Sequence, residues 1–192
     1  MVVYNNLPLY DVFLDNEKGL EFISIVNMPA IERNFVAFAE NEPIKMSMDE
    51  EQHIITGPAL IPNKPIYRRN GADEYFIVFS EQSIKDVMEK YMSDKGLGIN
   101  LEHTYETENA SIIESYLINR DKGILHKDFD DLPDGTWIVS MKIHNEKLWE
   151  LVKSNTLNGF SIEGILSLQP AKEELSKQEK SNSLINIIKK IK

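Results

Sequence analysis

Trp137-Ile-Val-Ser-Met-Lys-Ile-His-Asn-Glu-Lys-Leu-Trp-Glu-Leu-Val-Lys-Ser-Asn-Thr-Leu-Asn-Gly-Phe-Ser-Ile-Glu-Gly164 reads as a strand, a short helix and a second strand in one run. Trp137, Val139, Met141 and Ile143 alternate with Ile138, Ser140, Lys142 and His144, the two-residue period of a half-buried strand with one apolar and one mixed face. Asn145 can cap a helix through Val152, with Leu148 and Val152 one turn apart. Thr156-Leu-Asn-Gly159 then leads into a strand bearing Ser161.

Outward from this run, residues 7–15, 20–28, 53–61, 74–79, 97–103 and 110–119 read as further strands. A polar stretch from Glu40 to Gln52 separates the first two from the rest. A segment rich in Pro, Asn and Gly bridges 53–61 to 74–79 as a loop, and 121–135, crowded with Asp, Pro and Gly, reads as another. Ser80 can cap a helix whose Ile84, Val87, Met88 and Tyr91 share one buried face, with Lys95-Gly96 as its stop. There is no internal repeat.

A chain of 192 residues at 42% hydrophobic supports one well-buried core and not two comfortable domains. The absence of cysteine excludes disulfides, thiol nucleophiles and cysteine-based metal sites. No basic n-region precedes an apolar run and no membrane-length apolar stretch occurs, which predicts a cytoplasmic protein with no membrane partner. A net charge of −10 argues against nucleic acid as a partner, because phosphate-backbone binding needs clustered Lys and Arg.

Gly159 and Gly164 flank Ser161, a pattern that suits close approach of a substrate backbone and equally a bulge or a tight packing contact. About 58 residues upstream, Asn-Leu-Glu-His ends a second apolar stretch at His103, a pairing that suggests a nucleophile and its base. His53, His126 and His144 read instead as solvated or capping residues. A metal set drawn from Glu102-His103, Glu106 and His126 lacks the helical spacing of metalloprotease motifs.

Taken together, Ser24–Arg33, Thr56–Arg68, Tyr75–Ser80, Asn100–His103, Trp137–Lys142 and Asn158–Gly164 resemble the tailed-phage prohead proteases of the XkdF-like type, over roughly residues 20–168. The resemblance implies a relative of the herpesvirus assembly proteases: an α+β fold with a small barrel-like, mostly antiparallel sheet and flanking helices. It implies a serine endopeptidase with Ser161 as nucleophile and His103 as base, requiring neither cofactor nor metal. It further implies phage scaffold and major capsid proteins as substrates, inside an assembling prohead in the host cytoplasm, with self-association left open. A catalytically silent head-assembly protein that keeps the fold is the alternative.

The herpesvirus enzymes use a second histidine after the serine, whereas His144, the last here, precedes Ser161. A carboxylate or a bare dyad must replace it. Glu114 is the first choice, expected mid-strand on one face with Ile112 and Tyr116, where a buried carboxylate needs a partner. Glu163, two residues from Ser161 and on its face, is the second. A salt bridge is the competing role for Glu114, and backbone N–H groups are expected to stabilise the oxyanion.

The protease domain is expected over residues 1–170, its N-terminal β segments included. Residues 171–192 then form a charged linker and a short amphipathic helix, with Leu184, Ile185, Ile187, Ile188 and Ile191 mostly on one side. That helix reads as a docking element, a segment lost by self-processing, or a frayed end.

Overall fold

The strand-and-helix alternation forms around two helices whose caps are those the sequence supplies. The computed structural model describes residues 2–14, 19–27, 46–94, 98–103 and 109–171. Strands β1 (Val3–Tyr4), β2 (Leu7–Phe13), β3 (Leu20–Val26), β4 (Ser47–Asp49), β5 (Ile54–Leu60), β6 (Ile66–Asn70) and β7 (Asp73–Val78) precede helix α1 (Glu81–Ser93). After it come β8 (Gly98–Leu101), β9 (Ala110–Leu117), β10 (Trp137–Ile143), helix α2 (Glu146–Lys153), β11 (Gly159–Gly164) and β12 (Ser167–Pro170). The Ser83 N–H donates to Ser80 Oγ at 3.1 Å and the Leu148 N–H to Asn145 Oδ1 at 3.1 Å, so each helix starts at its predicted cap.

The α+β class holds, but the sheet does not close into the expected barrel. Among the described residues the strands form three hydrogen-bonded sheets: β1-β2-β7-β6 with β12 on β2, β4-β5-β10-β9, and β11-β3-β8. Pairing is mostly antiparallel, with β2–β7 and β3–β8 parallel. One large core lies among them, with α1 packed on β3 and β10 and α2 on β10. Ile84, Val87 and Tyr91 of α1 are buried as their spacing predicts, and Met88 packs at the margin. Tyr91 OH donates to the Gly98 carbonyl at 2.9 Å, which anchors β8 beneath α1. Burial pushes this hydroxyl's pKa well up, so it stays a neutral donor.

Three further differences from the sequence reading have local causes. β10 is buried on both faces, because it is a central strand covered on either side and its mixed face carries a satisfied polar pair, Thr56 Oγ1 and Ser140 Oγ at 2.8 Å. The bridging segment contains β6, since Gly71, with φ +61°, closes a tight turn that pairs Asn70 with Asp73. On β9, Ser140 and Met141 of β10 pair with Glu114 and Ile112, so a bulge at Ile113 breaks the two-residue period. Ile112 and Glu114 therefore face opposite ways, and Glu114 is exposed rather than buried.

The region 121–135 lacks strands, as predicted, yet it is ordered by two 3-10 turns and by Arg120, which donates to Asp134 and to the Asp130 and Leu132 carbonyls. Ala171 is buried with Leu9, Phe76 and Val78 and donates its N–H to Leu9 O at 3.1 Å. The chain is thus fixed one residue beyond the expected domain boundary. The rest of the proposed linker and terminal helix lies outside the described residues, as do 28–45. No described helix is long and apolar enough to cross a membrane.

Candidate functional site

Across the β11-β3-β8 sheet, Ser161 pairs with Ser24 and Ser24 with Asn100, so three polar side chains stand in one row. Their relative exposures of 3, 0 and 0% show a polar stripe built into the interior. Phe160, Ile25 and their neighbours point the other way, into the large core. Glu163, two residues along β11, shares the face of Ser161.

His103 reaches this face by a bend in the backbone. Glu102 and His103 follow β8 with φ of +49° and +61°, two successive left-handed residues without a glycine. Such a pair costs of order 1 kcal/mol or more per residue and persists only where surrounding contacts hold it. Here the Glu102 N–H donates to Ile25 O at 3.1 Å, and Glu102 Oε1 accepts the Asn27 N–H at 2.6 Å. The turn sets His103 Nδ1 3.1 Å from Ser24 Oγ and 3.4 Å from Glu163 Oε2. Glu163 Oε2 also accepts from Asn100 Nδ2 at 3.3 Å.

Because a carboxylate can only accept, the tautomer that suits Glu163 carries its proton on Nδ1 and keeps the lone pair on Nε2, and the direction of the Ser24 Oγ–Nδ1 hydrogen bond follows from the tautomer. His103 and Ser161 line a common cavity of about 540 Å³, which Glu163 and Gly164 also line. Its opposite wall comes from β6 and β7.

Of the residues singled out from sequence, Ser161, His103 and Glu163 come together. Glu114 does not join them: it lies on β9 of another sheet and accepts from Ser140 Oγ at 2.6 Å. The other histidines have local duties. His53 stacks on Trp149 with ring centroids 4.5 Å apart, His126 Nδ1 accepts the Asp128 N–H at 3.2 Å as a cap, and His144 Nε2 meets Ser111 Oγ at 3.0 Å. Of the metal set considered above, Glu106 lies outside the described residues. Gly164 serves strand packing, since a Cβ there would sit 2.3 Å from Gly19 O.

Ser24 and Asn100 join the site beyond the residues that the sequence motifs single out. The signal was available: Ile23-Ser24-Ile25 and Ile99-Asn100-Leu101 each place a polar side chain alone between apolar ones in a buried strand. Asn100 Oδ1 remains buried without a hydrogen-bond partner among the described residues.

A hydroxyl, an imidazole and a carboxylate gathered at one cavity form the group set of a serine hydrolase. The family model described as "Putative phage serine protease XkdF" matches residues 42–169, well over half of the chain, and the protein belongs to this family of phage serine proteases. No curated protein and no solved structure matches the chain.

Proposed function

We propose that the protein is a serine endopeptidase that trims scaffold and capsid proteins during phage prohead maturation, with Ser161 as nucleophile, His103 as base and Glu163 as the orienting carboxylate. The observation that carries this reading is the cavity shared by Ser161 and His103, with Nδ1 held against Glu163. Ser161 Oγ attacks the scissile carbonyl carbon as its proton passes to Nε2. The tetrahedral intermediate collapses with cleavage of the C–N bond, and the imidazolium delivers that proton to the leaving amine. Water, deprotonated by the same nitrogen, then releases the acyl group from Ser161. Glu163 stabilises the transient imidazolium, while Asn100 and Ser24 hold the carboxylate and the ring.

The second reading is a catalytically silent head-assembly protein. It is favoured by the hydrogen bond that joins His103 to Ser24 while no such bond joins it to Ser161 among the described residues. Catalytic contacts that tighten only on substrate binding account for the same geometry under the first reading. Co-expression with phage scaffold and capsid proteins, followed by intact mass measurement, separates the two. Trimmed products with the wild-type chain and none with a folded Ser161→Ala variant are expected. Full trimming by Ser161→Ala sinks the serine mechanism, and no trimming by either chain favours the silent protein.

A further inference from the structure

Four successive residues of β11, 161–164, line the cavity that holds Ser161. Side chains alternate along a strand, so no single face can present all four, and it is the edge of the strand that borders the space. β11 is the outermost strand of its sheet, in the order β11-β3-β8. Across the cavity, residues 67–69 of β6 line the far wall in the same consecutive way, and β6 is the outermost strand of another sheet. Two strand edges therefore border the cavity.

The ladder fixes which main-chain groups of β11 face outward. Ile25 O accepts the Glu102 N–H at 3.1 Å across the parallel pair with β8. A strand residue directs its N–H and C=O to one side and its neighbours direct theirs to the other, so Ser24 and Val26 face β11. Val26 O accepts the Asn158 N–H at 3.0 Å, in agreement. Ser161 stands opposite Ser24 and uses its N–H and C=O on β3. Phe160 and Ile162 consequently direct theirs away from β3, to a side where no strand pairs with β11 among the described residues. Burial separates the two. Phe160 is 1% exposed, and a Cβ on Gly57 of β5 would sit 3.6 Å from its ring. Ile162 and Glu163 are half-buried and Gly164 is exposed, so the outward groups of Ile162 are those at the cavity.

We propose that β11 takes the substrate's main chain as an added strand, an extended peptide exchanging hydrogen bonds with the N–H and C=O of Ile162, one residue from Ser161. The proposal rests on the protease reading of this cavity and names its substrate class. Main-chain pairing is blind to most side chains and requires a segment free to extend, so the substrates are unfolded or linker segments rather than folded surfaces. An open edge beside a nucleophile supplies this recognition without a deep side-chain pocket.

The test reads binding, which does not depend on turnover. The full-length Ser161→Ala chain is immobilised and offered three randomised octapeptide libraries capped at both ends: one unmodified, one N-methylated at every second residue, and one N-methylated at every residue. Methylation at every second residue removes the donors of one peptide edge and leaves the other intact, so this library should be retained within about twofold of the unmodified one. Methylation at every residue removes both edges and should lower retention by about tenfold or more. Ile162→Pro, added to the same chain, removes an outward N–H and spares the ladder to β3, a position at which edge strands accept proline; it should lower retention of the unmodified library about fivefold. Ile162→Val keeps the N–H and should stay within about twofold. No retention of the unmodified library, equal retention of all three, or equal loss of both methylated libraries overturns the proposal. So does full retention by a folded Ile162→Pro chain; if that chain does not fold, the libraries decide alone. Digestion of the unmodified library by the wild-type chain reads the protease function separately, so each idea can fail alone.

Discussion

Replacing Glu163 by Gln keeps the shape of the side chain and removes the charge that faces His103 Nδ1 at 3.4 Å. At that separation the attraction between carboxylate and imidazolium is about 5 kcal/mol at an effective dielectric of 20 and about 1 kcal/mol in bulk water. Both side chains are about one-third exposed, at 35% and 34%, so solvent screening places the loss between these limits. A loss of about 2–3 kcal/mol in the transition state corresponds to roughly a hundredfold fall in kcat. The amide also offers an N–H₂ to Nδ1, which would turn the ring to the wrong tautomer and deepen the loss. Steady-state cleavage of a quenched fluorescent peptide spanning a mapped cleavage site should show this fall with KM changed by about twofold or less. Glu114→Gln, in the other sheet, should stay within about twofold of wild type in the same assay, since its carboxylate accepts from Ser140 Oγ and does not line the cavity. Near-normal turnover in Glu163→Gln, or the large loss appearing in Glu114→Gln, would refute the assignment.

Ser24→Ala removes one hydrogen-bond partner of His103 Nδ1 and should lower kcat by about tenfold, the equivalent of one modest hydrogen bond. If Ser24→Ala is inert while Ser161→Ala still cleaves, the nucleophile is Ser24. Gly164→Ala would drive a Cβ to 2.3 Å from Gly19 O and 2.7 Å from Leu20 Cα, both backbone, so urea unfolding should show about 3 kcal/mol of destabilisation or no folded protein. Gly71→Ala, with open space around it, should cost only about 1 kcal/mol of left-handed strain; equal effects at the two glycines would contradict the packing argument. Tyr91 has a folded pKa raised by burial above its ordinary 10.0, so its contribution is complete below that pH and is lost as pH climbs past it. Tyr91→Phe should therefore lose about 1 kcal/mol at neutral pH and flatten the alkaline fall in Tm; an unchanged alkaline slope would show that other groups set it.

The sequence by itself determined what depends on neighbours along the chain. Alternation marked β10 and the 3.6-residue spacing marked α1. Ser80 and Asn145 named their own helices because a cap contacts a backbone N–H three residues away. Sequence order also placed Glu163 on the face of Ser161, since a two-residue offset on a regular strand leaves no choice. Tertiary structure decided everything that depends on pairing between distant segments. Whether the strands close into a barrel or divide into three sheets is a matter of register and edge contacts, which no local pattern encodes. The bulge at Ile113 turned Glu114 away from the face that strict alternation gave it. The polar row joins residues 24, 100 and 161 only because β3 lies between β8 and β11, and His103 reaches that row only because two left-handed residues bend the chain back over it. Side-chain identity fixed the available chemistry; the carboxylate facing the imidazole was fixed by strand order, because an interaction of a few ångströms depends on distance in space rather than distance along the chain.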